Sequence, residues 1–130
     1  VSPSDFGFHN ALRSDSGALA FVDFEYAGWD DPAKTLCDFF LQPAIPVNPA
    51  YRARFAAAAF SDWPDSDRLL ARAKLLHPLF ALKWCCIMLN PFVTHLAGPG
   101  RFADPTADPV RRKRQQLDKA ILAFRRLEDD

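Results

Sequence analysis

The chain has 130 residues, 49% of them apolar, with 16 basic residues against 16 acidic ones. That length suits one compact domain, and the composition excludes a disordered chain. A formal charge of zero supplies no field to draw in nucleic acid or an anionic membrane.

The first predicted elements are two short strands, Asn10 to Arg13 and Ala18 to Phe24, joined by the turn Ser14-Asp15-Ser16-Gly17. Leu19, Phe21, Val22 and Phe24 suit a buried strand. Asp31-Pro32 opens a helix, with Asp at the N-cap and Pro at the first helical position, running to Leu41 before Pro43 stops it. Gln42 to Pro49 contains three prolines and reads as a loop. Tyr51 to Phe60 is an alanine-rich helix. Asp65 or Ser66 caps a third, which continues through Leu69, Leu76, Leu79, Leu82, Trp84 and Ile87 to about Asn90. Pro78 predicts a kink or break in it near His77. Val93 to Pro109 is a Gly- and Pro-rich loop. A last amphipathic helix from about Pro109 to Leu127 places Leu117, Ile121, Phe124 and Leu127 on one face. The expected fold is mainly α with a small β-hairpin. It forms one domain over 1–130, divided into a hairpin portion, 1–31, and a helical subdomain, 32–130.

Leu75 to Phe92 is apolar enough to raise the question of a membrane span. Lys83 within it, and His77-Pro78 near its start, favour a core helix instead. Arg111 to Arg114 spread around a helix start and make no nucleic-acid stripe. Cys37, Cys85 and Cys86 form no CxxC pair and lie in apolar company, which predicts buried thiols in a reducing cytoplasm. His77 and His95 have no partners at zinc spacing. Tyr26 and Trp29 are expected to pack in the core or a loop.

The chemistry concentrates in two runs, SDFGFHN from Ser4 to Asn10 and FVDFEYAGWDDP from Phe21 to Pro32. Asp5, Asn10 and Asp23 are oxygen-bearing side chains on a loop and a strand end, and hard cations such as Mg²⁺ take oxygen ligands together with substrate phosphates. The turn returns Asp23 beside Asn10, because a short loop brings the outer ends of antiparallel strands together. Singly, each residue has a plain structural account: an Asx turn for Asp5, a strand start for Asn10, a strand-end carboxylate for Asp23.

Together, D-x-x-x-x-N, the hairpin and Asp23-Phe24 resemble the catalytic and metal loops of protein-kinase-like enzymes. Phe24-Glu25, the Asp31-Pro32 helix start and Asp38 in the helix that follows are more specifically similar to the aminoglycoside phosphotransferase and choline kinase group. The resemblance implies the helical C-terminal lobe of the kinase-like fold, with Asp5 as catalytic base, Asn10 and Asp23 as Mg²⁺ ligands, and Asp38 as a structural brace of the catalytic loop. It further implies ATP as phosphoryl donor and a small-molecule hydroxyl acceptor lying against the helices after Pro32. No nucleotide-binding residue beyond the metal ligands is expected in this lobe. Where the family has His-Gly before the catalytic Asp, this chain has Pro3-Ser4. His9 is expected to pack the loop or edge the substrate, and Glu25 to cap a turn or pair with a base.

A Gly-rich phosphate loop is not found in the sequence. The expectation is therefore a fragment of a longer bilobal cytoplasmic phosphotransferase, with the N-terminal lobe absent and the isolated chain nearly inactive. No membrane and no nucleic acid are expected as partners, and self-association through uncovered apolar surface is. The alternative is a non-catalytic helical binding module on a degenerate kinase-like scaffold, for which Pro3-Ser4 is the main support.

Overall fold

The computed structural model describes residues 1–93 and 108–129. Its elements are β1 (Ala11–Arg13), β2 (Leu19–Phe21), α1 (Pro32–Leu41), α2 (Arg52–Phe60), α3 (Ser66–Met88) and α4 (Pro109–Asp129), with single 3₁₀ turns at Phe8–Asn10, Pro49–Tyr51 and Asn90–Phe92. The chain is mainly helical with one small two-stranded antiparallel sheet. It divides into two compact units, Val1–Phe80 and Ala81–Asp130, at a point inside α3 just after Pro78.

In the first unit the hairpin pairs Ala11 with Phe21, Leu12 with Ala20 and Arg13 with Leu19. Its loop is a tight turn closed by the Gly17 N–H donating to the Ser14 carbonyl at 2.9 Å. Gly17 follows at φ 86°, a left-handed position that glycine takes without a Cβ penalty. α1 begins as its sequence dictates: the Asp31 carboxylate accepts from the Ala33 N–H at 2.9 Å, with Pro32 at the first helical position. The Asp31 carboxylate also meets the Arg72 guanidinium at 2.7 Å, tying the start of α1 to α3. α2 is entered through an Asn48-capped 3₁₀ turn, and α3 starts from Asp65, whose carbonyl accepts from the Leu69 N–H.

The core of this unit is built on α1. Ala33, Leu36, Cys37, Phe39 and Phe40 pack against Ala56 and Phe60 of α2 and Leu69 and Ala73 of α3. Phe39 is its hub: the Phe55 ring stacks on it at 4.4 Å, the Phe6 ring lies at 5.5 Å, and Phe8 and Phe40 meet it at 5.5 and 5.2 Å.

In the second unit Cys85, Met88 and Ala120 form a small core. α4 is capped by the Asp108 carboxylate, which accepts from the Val110 N–H at 3.0 Å. The basic start of α4 disperses: Lys113 stands over the Phe92 ring, and Arg114 pairs with Asp118 one turn on.

Several expectations are corrected. β2 is not a buried strand, because Leu19, Val22 and Phe24 are exposed and only Phe21 turns inward, onto Phe6. Tyr26 and Trp29 are exposed, Trp29 at 94%. α3 runs unbroken through Pro78, and it is not a core helix: Leu69, Ala73, Ala81, Cys85 and Met88 are buried while Leu75, Leu79, Leu82 and Ile87 face outward. Ser66–Phe92 is long and apolar enough to cross a membrane by length and composition, and little of it is buried. α4 does carry the expected apolar face, with Ala120 buried, Leu117 and Leu127 half-buried, and Ile121 and Phe124 exposed. The thiols also differ: Cys37 and Cys85 are buried, but Cys86 is exposed, since successive helical residues point about 100° apart. His95 and most of the loop expected from Val93 to Pro109 lie outside the described residues.

The aromatic hub sets the stability of the first unit. Phe39→Ala is expected to cost about 3–5 kcal/mol, whereas Leu75→Ala, at a position 78% exposed, should stay within about 0.5 kcal/mol of the parent; urea unfolding measures both. In the second unit, burial pushes the Cys85 thiol pKa up. Near pH 8, Cys86 alone should react promptly with Ellman's reagent, the other two thiols following only on unfolding.

Candidate active site

The segment before the hairpin is a loop pinned at both ends. Ser2 exchanges two backbone hydrogen bonds with Gly28, at 2.7 and 3.0 Å, and its hydroxyl meets the Thr35 hydroxyl of α1 at 2.9 Å. Phe6 is clamped between Phe21, at 4.5 Å, and Phe39. Asp5 is thus carried between a backbone bridge and an aromatic anchor.

Asp5 and Asn10 are brought together. The Asn10 Nδ2 donates to the Asp5 carbonyl at 2.9 Å and to its Oδ2 at 3.4 Å. His9 Nε2 lies 3.3 Å from the other carboxylate oxygen, Oδ1, and donates to it when the ring proton is on that nitrogen. His9 Nδ1 is buried without a partner. Its ring lies tightly over Gly7, where a Cβ would come within 2.6 Å of that nitrogen. The loop therefore needs glycine there for space.

Asp23 reaches the same end of the hairpin through the backbone. The Val22 N–H donates to the Asn10 carbonyl at 2.9 Å, which puts Asp23 one residue beyond the partner of Asn10. Asp23 then leaves the strand at φ 66°. Among the described residues its exposed carboxylate has no hydrogen bond or ion pair, and the Asn10 Oδ1 accepts no hydrogen bond. With Nδ2 spent on Asp5, the free Asn10 oxygen and the Asp23 carboxylate are hard donors of the kind Mg²⁺ takes. No group of three or more His, Cys, Asp or Glu side chains among the described residues could hold a metal ion; an Asn–Asp pair that shares the ion with phosphate oxygens is a different donor set.

Asp38 is buried on α1. Its link to the loop runs through Lys34, a residue the sequence reading passes over. The Lys34 ammonium lies 2.7 Å from Asp30 and 3.6 Å from Asp38, and donates to the Ser4 hydroxyl at 3.1 Å. One ammonium thus joins the loop before Asp5 to the helix behind it. The i, i+4 spacing of Asp30, Lys34 and Asp38 is visible in the sequence; the reach to Ser4 is not. The Asp5–His9 contact was likewise missed, though it too is a four-residue spacing. Glu25 is exposed.

Ser4 and Asp23 are the non-glycine residues with positive φ among those described, at 62° and 66°. Left-handed backbone costs an ordinary L-residue roughly 1–2 kcal/mol, and such strain concentrates at functional sites. Ser4→Gly should therefore be about 1–2 kcal/mol more stable than Ser4→Ala. Both variants lose the bond to Lys34, so the difference in their denaturation midpoints isolates the backbone.

No family model, curated protein or solved structure matches this chain.

Proposed function

We propose that this chain is the C-terminal, catalytic and acceptor-binding lobe of an ATP- and Mg²⁺-dependent small-molecule O-phosphotransferase with the protein-kinase-like fold. The observation that carries the reading is the gathering of Asp5, Asn10 and Asp23 at one end of the hairpin, with the Asp23 carboxylate and the Asn10 Oδ1 both unpartnered among the described residues. Two further features support it. Ser4 adopts a glycine-like conformation at the position where the resembled family carries glycine. Val22, Phe24, Tyr26 and Trp29, on either side of Asp23, are exposed, as apolar surface taken up by a preceding lobe is.

In this mechanism Asp5 orients the acceptor hydroxyl and takes its proton as the oxygen attacks the γ-phosphorus and ADP leaves. The Asn10 and His9 N–H groups hold the carboxylate in place. Phosphoryl transfer has a loose transition state, so positioning matters more than basicity. Magnesium held by the Asn10 Oδ1 and the Asp23 carboxylate would supply charge neutralisation on the phosphate oxygens. Asp38, through Lys34, acts as a brace. The first lobe supplies the nucleotide pocket, so the isolated chain turns over little.

Manganese tests the metal site on this chain. With ATP and Mn²⁺ present, amide NMR signals around Asn10 and Asp23 are expected to broaden first, and Asp23→Asn should abolish the effect. Broadening spread over the surface carboxylates, unchanged by Asp23→Asn, would sink the reading and leave the non-catalytic scaffold. In the protein joined to its first lobe, Asp5→Asn is expected to lower kcat by about 10²–10⁴-fold, the usual contribution of a positioned proton acceptor.

A further inference from the structure

Away from the loop, α1, α2 and the first half of α3 line a cavity of about 570 Å³, within the range of about 300–1,000 Å³ typical of small-ligand sites. Its origin is compositional. Facing positions of α2 are alanines, too small to fill the space beside Leu36 of α1 and Leu70 and Ala73 of α3. The charged residues lining it are Arg52 and Lys74. Among the described residues neither has an ion-pair partner.

Arg52 is nonetheless held in place. One guanidinium nitrogen donates to His77 Nε2 at 2.8 Å, the Phe40 ring lies under the guanidinium carbon at 5.5 Å, and Nε is buried with no partner. An imidazole nitrogen and an aromatic face orient the cation, and neither is an anion that would neutralise it. A half-buried guanidinium with no carboxylate partner, set against an apolar wall, attracts an anion more strongly than one in open water.

We infer that this cavity is a binding site for a small organic anion, a carboxylate carried on an apolar body, whose acid group is taken by Arg52 and Lys74 while its body fills the alanine-lined space. The site uses none of the residues of the hairpin loop, although the helices that line it are those against which the phosphotransfer reading lays its acceptor; binding of the probes is measured without ATP or Mg²⁺ and so stands or falls apart from that reading.

The probes are 1-naphthylacetate and its neutral counterpart 1-naphthylacetamide, titrated calorimetrically into the full chain. The acid is expected to bind at least tenfold more tightly than the amide. Lys74→Gln, an exposed position on α3, keeps the fold and should weaken the acid severalfold with the amide unchanged. Arg52→Gln should erase the preference, with its melting curve recorded because Arg52 also packs on Phe40. Equal affinities for acid and amide, no heat from either at millimolar concentration, or a preference untouched by Lys74→Gln would each overturn the proposal.

Discussion

The geometry of the hairpin loop rests on Phe6. Its ring is held between Phe21 of the hairpin and Phe39 of the core helix, and Asp5 is its immediate neighbour in the chain. A hairpin of two three-residue strands has almost no stability of its own. What fixes it on the helices is the run of aromatic contacts from Phe21 through Phe6 and Phe39 to Phe55. Offset and tilted ring pairs each add roughly 0.5–1.5 kcal/mol beyond the area they bury. Without that anchor the Ser2–Gly28 bridge and the Lys34 contacts would be left to position the loop alone, and these are partly solvated interactions of small net worth.

How much of this was legible follows from what each feature depends on. The hairpin turn, the Asp31-Pro32 helix start and the alanine-rich α2 are set by local chemistry, and the sequence placed them to within a residue or two. Burial was not legible in the same way. Leu19, Phe21, Val22 and Phe24 make the apolar run of a buried strand, yet such a run records only that the residues are apolar, not that anything covers them. The same holds for Leu75 and Leu79 on α3. Pro78 was expected to kink or break its helix, and of the two the break is not made: the helix continues, since neighbouring turns carry it past one missing N–H. Lys34 was invisible as a hub because its third partner, Ser4, lies thirty residues away in the chain.

The two charged sites differ in how their charge is handled. At the loop, the Lys34 ammonium is shared among two carboxylates and a hydroxyl, so it stabilises local structure and has little attraction left for a ligand. At the cavity, Arg52 is fixed by an imidazole nitrogen and an aromatic ring, with no carboxylate paired to it among the described residues. The first arrangement is a brace, and the second resembles a receptor. Composition gives equal weight to both lysines and arginines, and only the partners separate them.

Asp23 carries a backbone cost that the hairpin does not recover. Its backbone is left-handed, where glycine or asparagine rests more comfortably, and its carboxylate gains nothing from the described residues. Asn10 also leaves its amide oxygen unpaired, while its N–H₂ group is committed to Asp5. Neither choice stabilises the hairpin, which would be relieved of strain by a glycine at position 23. A scaffold under no demand except folding has no use for a strained, unpaired carboxylate beside an unpaired amide oxygen. A site that must present two oxygens to something outside the chain has use for both, and the strain then serves to aim Asp23 away from the strand and its neighbours.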